Sequence, residues 1–217
     1  MNLQHLPHIN AMWNELKDIF STIVSHDFII GLSEQKLSLN AFKHYLQQDA
    51  LYLIDDAISL QNLSDRSTNE DYKRFFAELA TDSIEMEKAL HEQYYKLYDV
   101  KATTVKSEAI SQYTEHLLLQ SKNAAYPEAC AALLPCFWIY TYIGKNFPKS
   151  DVKDNIYQEW INTYKSDLYY NYTMKFLQIC DVLAAKSDKK IRKNMLEMMR
   201  TSCLYELAFF DESVSKS

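Results

Sequence analysis

Asp49 is a carboxylate inside an apolar stretch, HYLQQDALYL, of this 217-residue sequence. Tyr45 and Tyr52 stand four residues before it and three residues after it, so a helix would place all three on one face. A buried carboxylate must be paired, because an isolated charge in apolar surroundings is very costly. Asp49 is therefore either a core acid satisfied by a tyrosine hydroxyl or an arginine, or a group that binds a ligand.

Cys136 is a thiol next to a helix-breaking residue, in the segment AALLPCFWIYTYIGK. Pro135 removes one main-chain hydrogen bond and loosens the helical turn before it. Tyr140 follows four residues after Cys136 and so shares its face. Loosened backbone beside a thiol suits a reactive cysteine, although a lone cysteine in an apolar helix is also typical of a small core residue.

Glu206 is the third candidate, in the apolar part of the last predicted helix, CLYELAFFDES. Phe209 and Phe210 follow it at helical spacing. Aromatic surroundings disfavour the carboxylate anion, which raises the pKa of Glu206 and suits a general acid or base. The competing interpretation is a glutamate at the helix surface that reaches Arg200 or Arg192.

Metal and cofactor sites find little support in the sequence. It contains no Glu-x-x-His pair of the kind that di-metal carboxylate bundles require. Glu87 and His91 stand four residues apart on one predicted helix, which favours a hydrogen-bonded pair over a metal site. Because the only glycines are Gly31 and Gly144, neither a phosphate-binding loop nor a dinucleotide fingerprint can be written. We predict that the protein uses no metal and no cofactor.

The overall composition is that of an ordinary soluble globular protein, with 47% hydrophobic and 24% charged residues. A net charge of −6 argues against a nucleic-acid partner. The four cysteines include no C-x-x-C pair, which predicts free thiols in a reducing cytoplasm. We expect no signal peptide, because the first residues lack a basic and an apolar region, and no membrane span, because charges interrupt every apolar stretch.

Helical periodicity predicts the elements that must bring these side chains together. Glycine and proline number only 2 and 4, and this scarcity favours long helices over a turn-rich β fold. We predict one all-α domain over residues 1–217, a bundle of about eight helices at 9–24, 39–63, 69–98, 108–122, 127–147, 155–164, 166–186 and 188–213. The stretch 27–37 is predicted to be irregular, and Thr68, with Asp71 three residues later, is predicted to cap the third helix.

Four segments in this order and spacing, QQDALYL, LLPCFWIYTYIGK, EWINTYKSD and LYELAFFDES, resemble the thiaminase II (TenA) family. The segment EMEKALH is also similar, and the resemblance runs from about His26 to Asp211. It implies a haem-oxygenase-like all-α fold without haem and a homotetramer. It also implies hydrolysis of 4-amino-5-aminomethyl-2-methylpyrimidine to the 5-hydroxymethyl compound in thiamine salvage, and some members hydrolyse thiamine itself.

The same resemblance implies roles for individual residues. Cys136 matches the nucleophile, Asp49 the carboxylate that holds the aminopyrimidine, and Glu206 the acid/base. The tyrosines that match positions in the substrate pocket are Tyr52, Tyr113, Tyr140 and Tyr164. The chain departs from the family at Phe210, where tryptophan is expected, and at Tyr142, where glutamate is expected; both are expected to alter the pocket wall. A non-catalytic pyrimidine-binding or transcription-regulatory protein on the same fold is the alternative.

Overall fold

The computed structural model describes residues 3–216, except the side chains of residues 83, 84 and 86–92. Its described part contains nine helices and no strand, so the all-α prediction is confirmed. The helices are α1 (Pro7–Val24), α2 (Asp27–Ser33), α3 (Leu39–Arg66), α4 (Glu70–Tyr98), α5 (Glu108–Asn123), α6 (Tyr126–Asn146), α7 (Gln158–Lys165), α8 (Asp167–Lys186) and α9 (Lys189–Val214).

The additional helix is α2, where the sequence predicted an irregular stretch, and that prediction was wrong. The His26 ring caps this helix, because its Nδ1 accepts a 3.1 Å hydrogen bond from the Phe28 main-chain N–H. Gly31 lies buried within the helix, where a Cβ would come within 3.1 Å of the Leu37 side chain. The glycine therefore serves close packing, and seven residues are too few to show a helical period in the sequence.

The start of α4 also differs from its prediction. Asn69, and not Thr68, caps the helix, and its side-chain oxygen accepts from the main-chain N–H groups of Asp71 and Tyr72 at 2.9 and 3.0 Å. Asparagine is a preferred N-cap residue for this reason. The predicted boundary is therefore displaced by one residue.

Helix α6 lies at the centre of the bundle and packs against α1, α3, α5, α7, α8 and α9. It is buried on nearly all sides, as expected for a helix that is apolar all round. A serine on α9 fixes one of these contacts, because the Ser202 hydroxyl donates a 2.7 Å hydrogen bond to the buried Ala132 carbonyl of α6. The cysteine on α6 and the glutamate on α9 are thus held on two helices in direct contact.

None of the described helices carries an apolar stretch long enough to cross a lipid bilayer.

Candidate active site

One cavity is lined by all seven residues to which the resemblance assigns a catalytic or substrate-binding role. Helix α3 contributes Asp49 and Tyr52, and the helices that supply the others are α5 for Tyr113, α6 for Cys136 and Tyr140, α7 for Tyr164 and α9 for Glu206. Leu53, Tyr169 and Phe209 complete the lining. The cavity is tight: its volume is about 10 Å³, close to what one water molecule needs.

Glu206 ends a chain of buried hydroxyl groups. Its Oε1 accepts a 2.8 Å hydrogen bond from the Tyr140 hydroxyl, which lies 2.9 Å from the Tyr45 hydroxyl. Burial raises the pKa of Glu206 to about 8; the negative charges of Asp49 and Asp56 add to this effect, and the hydroxyls of Tyr140 and Tyr113 oppose it. At neutral pH the carboxyl therefore holds a proton that it can donate.

The alternative of an arginine partner for Glu206 is wrong. Arg200 donates to the Glu15 carbonyl at 3.0 Å, and Arg192 donates to the carbonyls of Ser187 and Ala184. Glu206 itself is only 2% exposed. It is a core carboxyl facing a cavity, which is the environment that the sequence predicted for an acid/base.

Cys136 keeps part of its surface accessible and lines the cavity, whereas the other three cysteines are buried free thiols. Burial raises the pKa of the Cys136 thiol well above its usual value. The charges of Asp56, Glu206 and Asp49 raise it further, and the Tyr52 hydroxyl opposes them. The resting thiol is therefore neutral, and a reaction at sulfur needs a group that removes its proton.

Asp49 is 6% exposed and lies one helical turn before Tyr52. Its negative charge raises the pKa of Glu206, of Cys136 and of the Tyr140 hydroxyl, so it acts on three groups of the cavity at once. A carboxylate at the wall of a mostly aromatic cavity can orient a ligand through paired hydrogen bonds.

Tyrosine rings form the walls. Tyr52 packs on Tyr113 with ring centroids 4.9 Å apart, and Tyr140 packs on Tyr164 at 4.5 Å. Trp160 stands behind this second pair, 4.8 Å from Tyr164. Flat aromatic walls with hydroxyl groups suit a flat heterocycle that carries polar substituents.

The two residues at which the chain departs from the family, Phe210 and Tyr142, are not among those that line the cavity, and their effect on its wall stays a prediction. Phe210 stacks on Phe28 at 4.8 Å, and its neighbour Phe209 lines the cavity instead. Tyr142 packs against Trp13 and Phe20 at 5.2 and 5.3 Å. Both side chains pack between helices, and neither lines the cavity.

Asp56 is a buried carboxyl that the sequence analysis missed. It is 1% exposed, and burial raises its pKa to about 7; the Tyr52 hydroxyl opposes this rise and the charge of Asp49 adds to it. Its neighbour Asp55 instead pairs with Lys106. The signal was available, since Asp56 follows Asp49 by seven residues within the same apolar run and so lies on its helical face.

The described side chains include no group of three His, Cys, Asp or Glu placed to hold a metal ion. The Glu87–His91 pair considered from the sequence lies outside the described side chains.

Comparison with known proteins identifies proteins that are similar to this chain in sequence. The model of the TENA/THI-4/PQQC family matches residues 13–216. The aminopyrimidine aminohydrolase of Bacillus subtilis is 30% identical over 196 residues, which cover 88% of this chain and 83% of that protein. The thiamine biosynthesis multifunctional protein ThiED of Corynebacterium efficiens is 28% identical over 208 residues, and the match covers 95% of this chain but only 28% of ThiED.

Solved structures show the same architecture. A TenA homologue from Pyrococcus furiosus superimposes with a TM-score of 0.86 at 20% identity, covering 95% of this chain and 99% of that one. A TenA homologue from P. horikoshii OT3 gives a TM-score of 0.86 at 25% identity, covering 97% and 99% of the two chains.

Proposed function

The chain belongs to the TENA/THI-4/PQQC family, and from this premise we propose that it is an aminopyrimidine aminohydrolase of thiamine salvage. Its substrate is 4-amino-5-aminomethyl-2-methylpyrimidine, its product is the 5-hydroxymethyl compound, and thiamine is the second candidate substrate. The relatives named aminopyrimidine aminohydrolase agree with the predicted class, a hydrolase acting on C–N bonds. The observation that carries the proposal is the convergence of Cys136, Asp49 and Glu206 on one cavity.

Asp49 recognises the substrate. A 4-aminopyrimidine presents a ring nitrogen and an exocyclic amine side by side, as an amidine does, and a carboxylate matches this edge with two charge-assisted hydrogen bonds. The tyrosine rings stack on the flat heterocycle and their hydroxyls bond its polar substituents.

Cys136 supplies the nucleophile. Its sulfur adds to a ring carbon, the displaced electron pair moves onto a ring nitrogen, and Glu206 gives that nitrogen its proton. When the pair returns, the C–N bond of the protonated aminomethyl group breaks and neutral ammonia leaves. Water then adds to the methylene carbon and gives its extra proton to the released ammonia, which becomes ammonium. The C–S bond breaks, and the ring nitrogen returns its proton to Glu206. These steps use a thiol, a carboxyl and water, and no cofactor takes part.

The small cavity bears on how the substrate enters. A substituted six-membered ring is larger than the single water that about 10 Å³ accommodates, so lining side chains move when it binds. The cavity then encloses the ring, which excludes bulk water from the thiol adduct.

The remaining features of the proposal are a single domain and a cytoplasmic homotetramer with no nucleic-acid or membrane partner. Ile54 and Ile58 support subunit association, because they lie one turn apart on α3 and are 55% and 45% exposed. Contact with another subunit would cover this apolar strip. Light scattering of the purified protein measures the oligomeric state.

Ammonia release from the aminomethylpyrimidine, with the product identified by mass spectrometry, tests the activity. We expect turnover by the wild type and none by Cys136→Ala, which still binds the substrate in calorimetry. A panel of thiamine, the aminomethylpyrimidine and its formylated form then ranks the substrates. Normal hydrolysis by Cys136→Ala would refute the covalent mechanism, and tight binding without ammonia release would leave a pyrimidine-binding protein.

A further inference from the structure

We propose that Asp56 is the base for the Cys136 thiol and that it receives the proton through the Tyr52 hydroxyl. The inference deepens the proposed function and rests on it, because it assigns a residue to the step in which sulfur adds to the ring. It also gives Glu206 and Asp56 different roles: Glu206 protonates the ring nitrogen, and Asp56 takes up the thiol proton.

The Tyr52 hydroxyl acts on both the Cys136 thiol and the Asp56 carboxyl. Asp56 follows Tyr52 by one helical turn of α3, so the two side chains share a face. Tyr52 lines the cavity together with Cys136, whereas Asp56 lies behind the lining. The hydroxyl favours the charged form of both neighbours, since it lowers the pKa of the Asp56 carboxyl and that of the Cys136 thiol.

Both members of this relay have unused hydrogen-bonding capacity. In the part of the chain that the structure describes, the Tyr52 hydroxyl and Asp56 Oδ1 are buried and make no hydrogen bond of normal geometry. Buried polar groups without such a bond are rare and costly, so two of them one helical turn apart, one of them at the cavity wall, call for a functional explanation. A closer approach of the two groups would complete the relay.

The surroundings of Asp56 leave it able to take up a proton. The groups that act on it, or on which it acts, are Asp49 and Tyr52 on α3, Cys136 on α6 and Glu206 on α9. Among the described side chains, which leave out residues 83, 84 and 86–92 of α4, no cation acts on its carboxyl. Lys106 pairs with Asp55, the next residue, and therefore does not neutralise Asp56.

The step balances without any further reactant. The S–H bond of Cys136 breaks and its proton passes to the Tyr52 oxygen, while the Tyr52 O–H proton passes to the ionised Asp56 carboxylate. The sulfur electron pair forms the C–S bond, and the displaced ring pair takes a proton from Glu206. Collapse of the adduct returns the proton by the same path, so Asp56 is ionised again after each turnover.

Asp56→Asn is the decisive variant, because it keeps the shape of the side chain and removes the base. We expect turnover to fall about 10²- to 10⁴-fold, the usual contribution of a general base, with little change in substrate affinity. The acid limb of the pH–rate profile should disappear, since the wild type needs Asp56 ionised and the variant has no such group. Asp56→Glu should restore part of the rate, and Asp55→Asn should leave the rate and the profile unchanged.

Alkylation of Cys136 by iodoacetamide tests the relay without any substrate, with Cys136→Ser as the unlabelled control. The base role predicts that Asp56→Asn and Tyr52→Phe each slow the labelling about tenfold near neutral pH, because the group that takes up the thiol proton as sulfur attacks is lost or disconnected. If Asp56 acts only as a repelling charge, its removal will speed the labelling, and this result overturns the inference. So does an unchanged pH–rate profile in Asp56→Asn. The assay still reports on Asp56 if the wild type hydrolyses none of the proposed pyrimidines.

Discussion

The Tyr140 hydroxyl donates a 2.8 Å hydrogen bond to the Glu206 carboxyl and so joins the central helix to the last one inside the site. The bond favours the anion, yet burial outweighs it and holds the pKa of Glu206 at about 8. A carboxyl kept neutral in this way can donate a proton at physiological pH, and its ionisation at higher pH works against the folded state.

Glu206→Gln should therefore stabilise the protein in alkaline solution. The folded state binds the Glu206 proton up to about pH 8, whereas the unfolded chain loses it near pH 4, so the wild type loses stability as the pH rises between these values. At about pH 9 we expect the variant to have a free energy of unfolding roughly 2–4 kcal/mol higher, and near pH 4 the two should agree. Urea unfolding at several pH values measures this.

Glu212, six residues further along α9, provides the matched control with the opposite sign. Burial raises its pKa, but hydrogen bonds from His44, Ser107 and the Ala109 N–H outweigh burial, and the net shift is downward. Glu212→Gln should lower stability at neutral pH, and the loss should vanish as the pH falls below the pKa of the folded protein. If both variants change stability in the same direction at alkaline pH, the assignment for Glu206 is wrong.

Asp49→Asn should weaken substrate binding on the Cys136→Ala background, where turnover does not interfere. The neutral amide keeps the shape but loses the charge that strengthens both hydrogen bonds to the aminopyrimidine edge, so we expect a loss of about 2–4 kcal/mol. Titration calorimetry measures it, and Asp55→Asn, whose carboxylate faces Lys106 instead, should bind as the parent does. Equal affinity of Asp49→Asn and the parent would remove Asp49 from the binding site.

Gly144→Ala should damage fold and activity together. A Cβ at this position would lie 2.1 Å from the main-chain oxygen of Tyr164, so α7 must shift away from α6. Overpacking of this kind costs about 1–3 kcal/mol, and turnover should fall because Tyr164 lines the cavity. Thermal unfolding and ammonia release measure the two effects. Lys145→Ala, at the exposed neighbouring position, should change neither; an intact Gly144→Ala enzyme would show that α7 adapts freely.

Helices that repeat their apolar residues over several turns were predictable from the sequence. The eight longer helices were found because each repeats its apolar residues over at least two turns, as α9 does from Met195 to Phe210. The short α2 was missed because its signals are a histidine cap and a buried glycine, both of which also suit a loop. Its hydrogen bond from Phe28 to the His26 ring becomes visible only in three dimensions.

The site was predictable where a polar residue interrupts an apolar helix. This rule found Asp49 and Glu206 and could have found Asp56. It could not identify the partner of Glu206, because Tyr140 is 66 residues away and two arginines stand closer in sequence. The size of the cavity was beyond sequence reasoning as well, since it depends on how side chains of several helices fill the space between them.

Trp160 provides an intrinsic fluorescence signal close to the cavity. Its indole packs on Tyr164 and Tyr140, whereas Trp13 and Trp138 pack on each other at 5.6 Å in a different part of the core. A ring that pushes Tyr164 aside changes the polarity around one indole and leaves the other two undisturbed. The emission of the unlabelled protein can therefore follow ligand entry in a stopped-flow instrument, on a time scale that no product assay reaches.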